Sequence, residues 1–209
     1  PQLYGATPSV SQKFLIPDNI ADSIPSISMS SPELCFLFSG QGSQYVGMAE
    51  KLYQKFQIIR NTLDNANRIC KDFGGFNLLE LLFGSPNITE EENSKKLRQT
   101  QFTQPAIYSV EMALVNLFKS KGINAGIVGG HSLGEFAALV TAGVLTFEDG
   151  LKVVITRGKA MAESPPGVQC TMAAIFTSSE LVEKSLKELS VENVSISNYN
   201  SSSQGAPSL

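Results

Sequence analysis

The chain has no tryptophan, one histidine and three cysteines in 209 residues. A single histidine cannot build the imidazole clusters that hold catalytic zinc, which argues against a histidine-based metal site. Cys35, Cys70 and Cys170 are odd in number, widely spaced and set among apolar neighbours. That pattern points away from a disulfide framework and toward buried free thiols in a reducing compartment. Excess charge is lacking too: 16 Lys and Arg against 19 Asp and Glu leave a net charge of −3. Such a balance gives no electrostatic footprint for nucleic acid. No apolar run approaches the roughly 20 residues that a bilayer span requires. What remains, 42% apolar and 17% charged, is the composition of a globular core.

Residues 1–32 are rich in serine and proline and carry no sustained periodicity. They read as a disordered leader or the remnant of a targeting segment, without the arginines of a transit peptide. Leu34–Phe38 is a continuous apolar run that ends in Ser39-Gly40-Gln41-Gly42-Ser43-Gln44, as expected of a strand buried on both faces of a parallel sheet. Helical patterns follow at 46–56, 58–72 and 77–83. The charged stretch 86–96 reads as a solvated loop. Thr103-Gln104-Pro105-Ala106 opens a long helix with Pro105 in its first turn, where a missing N–H costs least. Ile107, Val110, Leu114, Leu117 and Phe118 share one face of that helix, and Gly122 stops it. Thr146-Phe147-Glu148-Asp149 has the form of a capping box for a helix reaching about Ala162. A strand at 172–176, a helix at 178–189 and a strand at 194–197 then suggest a second, smaller unit after Pro165-Pro166.

Chemistry concentrates at Gly130-His131-Ser132-Leu133-Gly134, between the apolar run Ala125–Val128 and a helical pattern starting at Phe136. Strand, sharp turn and helix form the setting in which G-x-S-x-G places a nucleophilic serine at the open end of a sheet. Free N–H groups at the following helix start can stabilise an oxyanion there. A serine hydroxyl also needs a base, because it is a poor nucleophile at neutral pH. His131 is its neighbour, but adjacent side chains at such a corner point in different directions. His131 therefore reads as support for the turn, and the base is expected to lie outside these 209 residues.

Four motifs in order, Ser39-Gly-Gln41-Gly-Ser-Gln44, Thr103-Gln-Pro-Ala106, Gly130-His-Ser132-Leu-Gly-Glu135 and Arg157-Gly-Lys-Ala-Met161, make the chain resemble malonyl-CoA:acyl-carrier-protein transacylases. Those enzymes share a fold with the acyltransferase domains of fatty acid and polyketide synthases, and the resemblance runs from about Leu34 to Gln204. It implies an α/β-hydrolase-like core (33–170) with a short parallel sheet and a nucleophile elbow. A smaller ferredoxin-like subdomain (171–204), incomplete here, would follow, and 205–209 would be a tail unlike the family. By resemblance, Ser132 is the catalytic nucleophile, and the backbone N–H groups of Gln41 and Leu133 form the oxyanion hole. Arg157 binds the malonyl carboxylate, with His131 and Asn200 also at the substrate site. The family's histidine would lie beyond Gln204, so the chain reads as truncated and of little or no turnover.

The expected reaction moves malonyl from coenzyme A to the phosphopantetheine thiol of an acyl carrier protein in fatty acid synthesis, with no metal or bound cofactor. The expected partners are malonyl-CoA and acyl carrier protein, with no nucleic acid and no membrane span, and the chain is expected to be a monomer. A serine esterase of the α/β-hydrolase type and a non-catalytic product that binds carrier protein or coenzyme A are the alternatives. A stand-alone domain behind a Ser/Pro-rich leader suits the mitochondrial matrix, with plastid or cytoplasm as alternatives.

Overall fold

In the computed structural model, which describes residues 34–163, 173, 175–190, 194–201 and 204–208, two parallel strands organise the larger part. Strand β1 (Cys35–Phe38) lies beside β2 (Ile127–Gly130), with Cys35 opposite Ile127 and Phe38 opposite Gly130. Parallel strands need a long crossover. Here it runs through helices α1 (Glu50–Lys55) and α2 (Gln57–Ile69), a π-helical turn at Cys70–Gly74, then α3 (Leu78–Phe83), α4 (Glu90–Leu97) and α5 (Thr100–Ser120). After β2 come α6 (Gly134–Thr141) and α7 (Phe147–Ala162). Helix α8 (Ser179–Glu188) precedes an antiparallel pair, β3 (Ser195–Ser201) and β4 (Gln204–Ser208).

Helix α5 is the hub of the larger part, and it is buried on more than one face. Thr103, Gln104, Tyr108, Met112 and Ala113 are all buried, in addition to Ile107 on the expected apolar face. Tyr108 is wholly enclosed and donates its hydroxyl to the Phe147 carbonyl at 2.8 Å. Desolvation holds its phenol well above the usual range. The helix begins at Thr100, earlier than Thr103-Gln-Pro-Ala predicts, so Pro105 sits inside it rather than in the first turn. A proline there removes one backbone bond. The loss is tolerated because Thr103, Gln104 and Pro105 are packed on the core. At the other end Gly122 takes φ 77°, and the N–H groups of Gly122 and Ile123 return to the carbonyls of Lys119 and Phe118. This left-handed stop is the one expected at Gly122.

Three expectations need correction. Strand β1 is covered on one face only: Phe38 is buried, whereas Leu37 is 79% exposed. Helices pack against one side of the two-strand sheet, so alternate residues of β1 point away from them. The stretch expected to be a solvated loop contains helix α4, started by a capping box. Thr89 Oγ1 accepts the Glu92 N–H, and the Glu92 carboxylate accepts the Thr89 N–H, which holds that carboxyl below its usual range. Leu97 at its end is buried, so charge density concealed an amphipathic helix. Of the thiols, Cys70 is buried and pushed up to about 12 by desolvation, but Cys35 is exposed.

The second expected capping box forms only in part: Thr146 caps the helix, but among the described residues the Asp149 carboxylate takes no bond from the Thr146 N–H. Thr146 accepts the Asp149 N–H at 3.1 Å and donates to its carboxylate at 2.6 Å. Helix α8 agrees with the pattern at 178–189, and β3 extends the strand expected at 194–197. The pairing partner β4 was not expected. Cys170 and the leader 1–32 lie outside the described residues, as do 172 and 174 of the strand expected at 172–176. Of its described positions Ile175 forms only an isolated bridge, so no strand runs there among the described residues.

Candidate active site

Between the end of β2 and the start of α6 the chain turns within His131, Ser132 and Leu133. Ser132 sits at φ 53°, a left-handed conformation that costs an L-residue about 1–2 kcal/mol. The glycines on either side show what compels it. A Cβ at Gly130 would overlap the Gly134 carbonyl, and one at Gly134 would overlap the Phe38 carbonyl. Strand and helix therefore approach to backbone contact, and only a sharp turn joins them. Gly134→Ala is expected to lower stability by about 1–3 kcal/mol, the usual cost of overpacking. Thermal denaturation reads this as a fall of several degrees in Tm, and an unchanged Tm would refute the close-contact account.

The Ser132 hydroxyl is the last link in a run of side-chain hydrogen bonds. Arg157, on α7, donates from Nη2 to Ser132 Oγ at 2.9 Å and from Nη1 to Gln104 Oε1 at 2.6 Å. Gln104 Nε2 donates to Thr100 Oγ1 at 2.8 Å, and Thr100 donates in turn to Gln41 Oε1 at 2.9 Å. Gln104 Nε2 also lies 3.3 Å from Met161 Sδ. The structure thus brings Gln41, Arg157 and Ser132 into one network although they come from a loop, a helix and a turn. The guanidinium also rests 5.8 Å from the centre of the Phe136 ring. Among the described residues no carboxylate pairs with Arg157. A half-buried cation whose neighbours are neutral oxygens is prepared for an anion from outside.

Gln104 and Thr100 are the participants that the sequence did not assign. Gln104 reads as a helix cap beside Pro105, yet it is fully buried and holds one arm of Arg157. Its only sequence signal was a polar residue flanked by positions of the buried helix face.

Leu133 is buried, and its carbonyl accepts the Phe136 N–H as α6 begins. Among the described residues, neither the Leu133 nor the Gln41 backbone N–H has an acceptor. His131 is exposed and makes no side-chain hydrogen bond to a described residue. It lies against the Gln41 loop, with its Nδ1 3.4 Å from where a Cβ on Gly40 would stand. No imidazole or carboxylate bonds the Ser132 hydroxyl among the described residues. Asn200 falls on β3, and its side chain lies outside the described residues.

A serine raised at a strand-to-helix corner beside an arginine, at the end of parallel strands, stands where open α/β sheets hold their ligands. The chain belongs to the acyl transferase domain family, whose model matches residues 35–206. It is 36% identical over 144 residues to the malonyl CoA-acyl carrier protein transacylase of Bacillus subtilis, covering 69% of this chain and 42% of that protein. Orsellinic acid synthase of Beauveria bassiana is 38% identical over 152 residues, 73% of this chain and 7% of that much longer protein. A solved malonyl-transacylase in complex with its type II polyketide acyl-carrier protein superposes with a TM-score of 0.71 at 32% identity. That alignment covers 85% of this chain and 55% of the solved one. The chain therefore spans about half the length of these transacylases, and far less of the synthase.

Proposed function

We propose that Ser132 carries a malonyl group as an ester between malonyl-CoA and the phosphopantetheine thiol of an acyl carrier protein. The observation that carries this reading is the bond from Arg157 Nη2 to Ser132 Oγ at 2.9 Å, with the other arm of the guanidinium fixed by Gln104. A malonyl unit has its free carboxylate only one carbon from its thioester carbonyl. The cation that binds the carboxylate must then stand beside the nucleophile, and Arg157 does. An esterase of neutral substrates has no use for such a cation.

In the first half-reaction Ser132 Oγ attacks the thioester carbonyl and gives up its proton. The C–S bond breaks, and coenzyme A leaves as the thiol. In the second, the carrier thiol attacks the ester, and Ser132 recovers its proton as the C–O bond breaks. Both steps pass through an oxyanion, for which the free N–H groups of Gln41 and Leu133 are the proposed donors, together contributing several kcal/mol. No metal or cofactor enters these steps.

Fatty acid synthesis is the proposed setting, although relatives in polyketide synthesis fit the same chemistry. A monomer in the mitochondrial matrix is the accompanying proposal and rests on the sequence alone. The reaction is tested by supplying labelled malonyl-CoA, then holo carrier protein, to the natural full-length protein. Label first on the protein and then on the carrier is the expected order. Label on neither, with coenzyme A unreleased, would defeat the proposal and favour a binding role.

A further inference from the structure

The loop that carries Gln41 is held from a second side by a residue with no part in the network above. Glu111, on α5, accepts two hydrogen bonds at Oε1, both from Ser39. One comes from the Ser39 N–H at 2.8 Å, the other from its hydroxyl at 3.0 Å. The Ser39 hydroxyl also lies 3.1 Å from that of Ser43, and Ser43 reaches the Gly40 carbonyl at 3.4 Å. Glu111, Ser39, Ser43 and Gly40 thus form a latch across the base of the loop, while Thr100 holds the Gln41 side chain at its tip.

The carboxyl is badly placed for any purpose but this. Its Oε2 is buried without a partner among the described residues. The cavities on either side are lined mostly by apolar groups such as Phe38, Leu114, Val110 and Met48. Among the described residues no lysine, arginine or histidine lines either one, and Cys35 and Tyr45 are the only other titratable side chains there. Desolvation pushes the Glu111 carboxyl up to about 7, against the pull of the two Ser39 bonds. A carboxylate buried without a cation costs stability. An apolar side chain would pack there more cheaply, but it would leave the Ser39 N–H without an acceptor.

We propose that Glu111 is a positioning residue that, through Ser39, fixes the loop whose Gln41 N–H is aimed at the acyl oxyanion. The inference rests on the acyl-transfer reading given above. Oxyanion donors act only within a hydrogen bond's reach of the developing charge, so a loop displaced by less than one residue's width loses its effect.

The test compares Glu111→Leu and Glu111→Gln in the natural full-length protein. Leucine fills the space and accepts nothing, whereas glutamine keeps a carbonyl oxygen for both Ser39 donors. Glu111→Leu is expected to slow malonyl ester formation at Ser132 by about tenfold to a hundredfold, a fraction of what loss of a whole donor costs. Half-saturation with malonyl-CoA should stay within about twofold, since the carboxylate clamp is untouched. Glu111→Gln should restore the rate to within about threefold of the parent. Backbone hydrogen exchange over residues 39–44 should quicken in Glu111→Leu and not in Glu111→Gln.

Equal rates in parent and Glu111→Leu, or equal losses in both variants, would overturn the proposal. If the parent forms no ester at all, the acyl-transfer reading fails by itself. Loop exchange then still decides: unchanged exchange in Glu111→Leu removes the latch. Should Glu111→Leu not fold, Ser39→Ala deletes one of the two bonds and is read in the same way. Quicker loop exchange supports the latch, and unchanged exchange overturns it.

Discussion

Arg157→Ala is expected to lower malonyl transfer by about one to two orders of magnitude while leaving an uncharged acyl group, such as acetyl, within about threefold. On the proposed reading the guanidinium binds what malonyl has and acetyl lacks. A hydrogen bond to a charged group contributes about 1.5–3 kcal/mol, which sets the size of the expected loss. Arg157 is held by Gln104 on one arm and lies over the Phe136 ring. Arg157→Lys should recover little, because an ammonium cannot keep the Gln104 bond and form a two-pronged pair with a carboxylate together. Rates of label transfer from malonyl-CoA and acetyl-CoA, measured side by side on the natural full-length protein, give the ratio directly. Equal losses for both substrates would make Arg157 a structural residue of the Ser132 turn.

Ser132→Ala has the larger effect. Ester formation should fall by on the order of 10⁴-fold or more, because losing a nucleophile removes the covalent route altogether. Binding should survive, since Arg157, Gln104 and the N–H groups of Gln41 and Leu133, without acceptors among the described residues, remain. Mass spectrometry of the peptide containing residue 132 should show one added malonyl group in the parent and none in the variant. Calorimetry should show malonyl-CoA affinity changed by less than about threefold. A malonyl adduct that persists in Ser132→Ala would place the nucleophile elsewhere.

Much of this site was legible because its residues are bound to turns. Gly130 and Gly134 announce a close approach wherever they fall in sequence, and the backbone contacts at Phe38 and Gly134 are the reason. Gln41 and Arg157 were assigned from resemblance, and nothing in their local sequence says that they meet. Gln104 went unassigned because a buried glutamine and a helix-capping glutamine look alike until the partner helix is in place. Helix α4 was hidden by its charge, although Thr89 and Glu92 spelled its start. The one-sided cover of β1 was not legible, since an apolar run does not say which of its faces another element will cover. Glu111 is the clearest case: nothing in the sequence of its helix marks it out, and only the loop packed against it supplies the reason.

The left-handed backbone at Ser132 sets what folding favours against what the reaction needs. Glycine would adopt φ 53° without penalty, so the corner would be better satisfied by a residue with no hydroxyl at all. A lineage released from acyl transfer should then exchange this serine early, with drift running downhill in energy rather than waiting on tolerance. On the proposed reading, a serine kept at this position is a record of use.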